Sequence, residues 1–176
     1  MSNLDIAVSY DIEMDYITAA EYYERSIESE GYPDAFLNLS VLYFQFTDYG
    51  INASLQLPVE FVKKAFDRFD PVITEGISEF PQNTEMRFWK RYFSWRTINS
   101  ELTEAEVLEI LNQGVFNNVP FFLLYLFNPS KYMPQRDELL IECQNLPTAK
   151  NKWILSLIDQ APIDQAHLTP AESYSR

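Results

Sequence analysis

The sequence predicts an all-α fold, a single domain in which antiparallel helix pairs stack as a right-handed solenoid. Leu4, Ala7, Val8 and Tyr10 recur 33 residues later as Leu37, Ser40, Val41 and Tyr43. A leucine, a small residue three further on and an aromatic three beyond that is a helix-packing pattern, and periods of about 20–50 residues mark stacked repeats. The 176 residues include only 4 glycines, a poor supply for β-turns. No hairpin or parallel-sheet pattern interrupts the helical spacing of apolar residues.

Residues 3–14 and 16–29 read as the first helix pair. In the second of these helices Ala19, Ala20, Tyr23, Ser26 and Ile27 form one stripe suited to burial. Glu21, Glu24 and Glu28 form the opposite, wet stripe. Gly31 and Pro33 close the unit.

The run Asp15-Tyr16-Ile17-Thr18-Ala19-Ala20-Glu21-Tyr22-Tyr23-Glu24-Arg25 resembles the second-helix signature of the tetratricopeptide repeat, with Met14 where glycine is common. Ala35-Phe36-Leu37-Asn38-Leu39-Ser40-Val41-Leu42-Tyr43 is similar to that family's first-helix signature. The resemblance spans residues 4–46. It implies a helix-pair array that binds a peptide or protein on its inner surface. Some such domains hold a peptide's terminal carboxylate; Asn38 matches that clamp, whereas Leu4 and Val8 stand where it has lysine and asparagine.

After residue 46 the pattern degenerates. Thr47 to Leu57 reads as an inserted loop. Pro58 then suits a helix start, and Val59–Glu79 follows as a long helix that Pro71 should kink or divide. Its apolar side carries Phe61, Val62, Ala65, Phe66, Phe69, Val72, Ile73, Ile77 and Phe80. Glu85–Thr97 is the most aromatic helix. Thr103 and Glu106 form a capping box for a short helix that stops by Gly114. Val119–Phe127 reads as a buried helix. Pro134–Leu146 and Thr148–Gln160 make a last pair, with Leu139, Leu140, Cys143 and Leu146 facing Trp153, Ile154, Leu157 and Ile158. The domain is expected over 1–161, and residues 162–176, poor in apolar groups, as a flexible tail.

Composition narrows the chemistry. The net charge is −13, and residues 1–60 carry 11 acids against Arg25 alone. Such a face repels phosphate and speaks against nucleic acid. The longest apolar run, Val119 to Phe127, is too short for a membrane span, and the acidic N-terminus lacks a signal core, so cytoplasmic residence is the expectation. Cys143 sits on an apolar stripe and the lone histidine, His167, falls in the expected tail, so no Cys–His nucleophile is expected. Asp11 and Asp15, four apart, read as a solvated face rather than a cation site. No phosphate-cradling glycine motif occurs. Neither an enzyme, nor a metal, nor a cofactor is expected.

The expected function is therefore a non-catalytic adaptor that grips a protein or peptide. Its inner surface should be built from Leu37, Asn38, Val41, Phe44 and Gln45, continued by Arg87, Lys90 and Arg91 of the aromatic-basic helix. Arg96 would extend that basic face. In an alternative expectation the protein is an acidic immunity or inhibitor protein, masking a toxin's active site with Glu21, Glu24 and Glu28. Exposed aromatics at the ends of a short array would favour homodimerisation or docking.

Overall fold

The computed structural model describes residues 1–98 and 100–159. Among the described residues ten helices follow one another: α1 (Asn3–Ile12), α2 (Tyr16–Ser29), α3 (Pro33–Gln45), α4 (Tyr49–Leu55), α5 (Val59–Glu79), α6 (Thr84–Ile98), α7 (Glu104–Leu111), α8 (Phe121–Phe127), α9 (Pro129–Asn145) and α10 (Ala149–Asp159). No strand forms among them, and one isolated parallel bridge joins Asn83 to Val115. The expected tail at 162–176 and His167 lie outside the described residues.

Helices α1 and α2 form an antiparallel pair. The Ser2 hydroxyl accepts from the Asp5 amide while the Asp5 carboxylate accepts from the Ser2 amide, which satisfies two otherwise orphaned donors at the start of α1. Asp15 caps α2 by accepting from the Thr18 amide. At one end of the pair Asn3 meets Ser29 and Glu30; at the other Tyr10 stacks on Tyr22, and the Tyr23 hydroxyl donates to Asp11.

Helix α3 is the centre of the fold. Every residue from Ala35 to Phe44 is buried, as expected of a helix that is apolar nearly all round. Helices α2, α5, α6 and α10 pack on it. Gly76 lets α5 approach closely, since a Cβ there would lie 2.9 Å from Phe36 Cβ. Helix α5 is thus the partner of α3, with α4 inserted between them. The segment expected as a loop contains that short helix because Asp48 caps it, accepting from the Ile51 amide.

Helix α5 is not divided at Pro71. Pro71 and Asp67 are both exposed, so water can satisfy the carbonyl that the proline leaves unbonded. Phe66, expected on the apolar side of α5, is exposed, with its ring edge-on to Phe69. The aromatic residues of α6 do turn inward. Phe93 stacks on Phe44 with centroids 4.5 Å apart, and Trp89 and Tyr92 lie against Phe122 of α8. Helix α9 begins at Pro129, earlier than the sequence suggests, and runs through Pro134. It buries Leu139 and Cys143 but leaves Leu146 exposed.

The last helix returns to the first. The Asp11 carboxylate accepts from the Ala149 amide at 2.6 Å, the Gln45 amide nitrogen donates to the Ala149 carbonyl at 3.0 Å, and Lys152 Nζ donates to the Ile12 carbonyl at 3.2 Å. Lys150 Nζ reaches Glu85 Oε1 at 2.6 Å in an ion pair with only 12% and 7% of its side chains exposed. Helix α10 therefore lies across α3, joined by hydrogen bonds and charge to α1, α3 and α6.

Candidate interaction surface

The residues expected to line a binding groove are distributed very differently from one another. Leu37, Asn38, Val41 and Phe44 are buried, so the structure corrects their expected exposure. The physical reason is α10, together with α6, packing on the α3 side that an open array would leave free. Gln45 is half-buried and spends its amide on Ala149.

The basic side of α6 is also largely committed. Arg87 donates to the Pro81 carbonyl and, at 3.2 Å, to Gln113. Lys90 pairs with Asp70 at 2.5 Å and donates to the Thr74 hydroxyl. Arg91 pairs with Glu106 at 3.1 Å and also donates to Ser100 and to the Glu101 carbonyl. These partners belong to α5, to α7 and to the turns beside them, not to the acidic first third. Arg87 and Arg96 make no ion pair with a described residue; Arg87 is held by its neutral acceptors, and Arg96 lies over the Trp95 ring.

Of the acidic stripe, Glu21 and Glu28 are exposed. Glu24 turns inward, pairing with Lys64 at 2.5 Å and accepting from the Tyr43 hydroxyl at 3.0 Å. Asp11 and Asp15 do not share a site: Asp11 is buried at the α10 junction and Asp15 caps α2. Among the described residues no three His, Cys, Asp or Glu side chains are grouped to hold a metal ion. Burial pushes the Cys143 thiol up to about 11, which suppresses the reactive thiolate near neutral pH. No described helix is long and apolar enough to cross a membrane.

Two clefts remain. The smaller, about 160 Å³, unites Phe44 and Gln45 of α3 with Arg96 and Thr97 of α6, Trp153 of α10, Thr47 and Asp48. It brings together parts of the two expected faces. At about 160 Å³ it is smaller than the roughly 300–1,000 Å³ common for ligand sites.

The larger cleft, about 420 Å³, lies where the start of α3, the end of α5, the turn into α6 and the segment after α7 converge. Pro33, Glu79, Phe80, Pro81, Val115 and Phe116 are among its lining residues. Its shape depends on a close chain crossing. The Val115 amide donates to the Gln82 carbonyl at 3.1 Å, and Thr84 Oγ1 donates to the Val115 carbonyl at 2.5 Å. Gly114 is required there, because a Cβ would fall 2.3 Å from the Gln82 carbonyl oxygen. The crossing holds Val115 and Phe116 outward, 68% and 66% exposed.

Sequence reasoning did not single out this cleft. Its one local signal is the pair of adjacent apolar residues in Gly114-Val115-Phe116-Asn117, which belongs to no helical stripe and so has no core to join. The chain matches no protein-family model, no curated protein and no solved structure.

Proposed function

We propose that this protein is a non-catalytic protein-binding module, built on a tetratricopeptide-like core of helix pairs, that engages a partner through the cleft at Val115 and Phe116. The architecture supports the helix-pair part of the reading: α1 with α2 and α3 with α5 form consecutive pairs, and α2 packs on α3 between them. The binding part rests on one observation. A chain that buries most of its aromatic residues keeps Val115 and Phe116 on the rim of an apolar cleft, fixed by a crossing that tolerates only glycine. Exposed apolar groups rimming a concave surface are the usual mark of an interaction site.

The toxin-masking reading has less support. Of its three acidic residues Glu24 is engaged by Lys64 and Tyr43, leaving Glu21 and Glu28 as the exposed pair.

Affinity capture from native lysate, quantified by mass spectrometry, tests the proposal. A specific partner should be captured by the wild type and by Glu21→Lys/Glu28→Lys, and lost at least tenfold with Phe116→Asp. Capture unchanged by Phe116→Asp and abolished by the charge reversal would overturn it in favour of the acidic face.

A further inference from the structure

In the larger cleft most hydrogen-bonding groups of the lining backbone and of Asn83, Thr84 and Asn117 are already engaged. Asn83 Oδ1 accepts from the Met86 amide at 3.0 Å. Asn117 donates to Glu85 at 2.9 Å and accepts from the Val119 amide at 2.7 Å. Thr84 donates to the Val115 carbonyl, the Gln82 carbonyl accepts from Val115, and the Pro81 carbonyl accepts from Arg87. What the cleft mainly offers an occupant is the apolar surface of Pro33, Phe80, Pro81, Val115 and Phe116, with the Glu79 carboxylate and the Gln82 side chain also in its lining. A polar side chain entering there would lose its hydration and recover little, whereas an aliphatic or aromatic one gains with the area it buries.

Charge at the mouth restricts the occupant further. Glu79 lines the cleft, and Asp34 follows Pro33 directly in the chain. Both are exposed, and neither forms an ion pair with a described residue. Arg87, the cation bonded to the Pro81 carbonyl, is held there and to Gln113. Lys150 is neutralised by Glu85. The lining thus carries one acid without an ion-pair partner, Glu79, and Asp34 lies one residue beyond it in the chain, next to Pro33, on a protein whose net charge is −13.

We infer that the cleft takes a bulky apolar side chain flanked by lysine or arginine, presented by a segment of a partner protein. Burial of the anchor supplies the affinity; Asp34 and Glu79 select the basic flank and speed encounter. The inference rests on the protein-binding reading and adds the chemistry of the occupant to it.

Four-residue amidated probes test the occupant directly. Lys-Leu-Phe-Lys, Glu-Leu-Phe-Glu and Lys-Ser-Ser-Lys are titrated into the full-length, ¹⁵N-labelled chain while backbone amide shifts are followed. Lys-Leu-Phe-Lys should move the amides of Asn83, Gly114, Val115 and Phe116, at least tenfold more tightly than either other probe. Asp34→Lys/Glu79→Lys should reverse the preference between the basic and acidic probes. Equal binding of the acidic and basic probes, equal binding of the serine probe, shifts centred elsewhere, or no shifts at all would each overturn the inference. The lysate capture separates the two levels: a Phe116-dependent partner with no probe preference sinks the occupant chemistry and leaves the protein-binding reading standing. Loss of both sinks the two together.

Discussion

Single residues in this protein carry backbone and charge effects that can be measured. Met14 stands in the turn between α1 and α2 with φ at +65°, a left-handed conformation that favours glycine. The sequence resemblance puts a methionine where a glycine is common, and the left-handed backbone at Met14 is one that glycine adopts without strain. Met14 is also exposed, so little packing is lost on replacing it. Met14→Gly should raise stability by about 0.5–1 kcal/mol, read as a higher urea midpoint at unchanged m-value.

Asp11 gives a pH signature. Burial raises its pKa above the ordinary carboxylate value, with the Ala149 amide, the Tyr23 hydroxyl and the charges of Lys152 and Lys150 acting in opposition. Just above the ordinary value, the folded protein still holds a proton on Asp11 that the unfolded chain has released. Stability from this group is therefore present at lower pH and lost as pH rises through the raised pKa. Other carboxylates contribute their own slopes, so the comparison is with Asp11→Asn. The wild type should lose stability relative to this variant as pH rises above the ordinary carboxylate value, measured by urea unfolding across the acidic range. A constant difference would remove Asp11 from the account.

At the scale of elements, ion pairs differ in worth according to where they sit. Lys150 and Glu85 join α10 to α6 in the interior, and Trp89 and Asn117 complete the carboxylate's hydrogen bonds. Burial pulls the Lys150 pKa down, yet the charge and hydrogen bond of Glu85 hold it above its ordinary value. Lys150→Met leaves Glu85 buried without its cation and should cost about 3–5 kcal/mol. Adding Glu85→Gln should recover part of that loss. Lys90→Met, at the partly exposed pair with Asp70, should cost only about 0–1 kcal/mol. Chemical denaturation of all four proteins decides whether burial sets the ranking.

Helix boundaries are legible in the sequence where their signals are local. Val59–Glu79 and the Thr103 capping box stand where the sequence places them, because proline, stripe and cap residues act over a few positions. Helix α4 is not legible in the sequence, because seven residues with a single cap carry too little periodicity. Phe66 and Leu146 were assigned to buried faces by spacing alone, and spacing says which side of a helix is apolar but not how far the neighbouring helix reaches over it.

For the molecule as a whole, the decisive feature is the return of α10. A stacked array in which repeats touch only their neighbours should tolerate loss of its last helices. Here α10 covers α3, the helix on which α2, α5 and α6 also pack. A chain ending at residue 145 would uncover the face of α3 that carries Phe44 and would leave Asp11 and Glu85 without their α10 partners. That truncation should abolish the cooperative thermal transition seen by circular dichroism. A truncated protein that melts cooperatively near the wild-type temperature would instead argue for independent repeats.

The candidate site divides along the same line. Helical class and the first helix pair follow from composition, caps and spacing, which are properties of residues close in sequence. The burial of Leu37, Asn38 and Val41, the pairing of Arg91 with Glu106, and the cleft at Phe116 join segments far apart along the chain. Periodicity in one helix cannot report which remote helix will cover it. The sequence by itself determined that this chain folds into packed helix pairs with an acidic surface; only tertiary contact decided which apolar residues stay open to a partner.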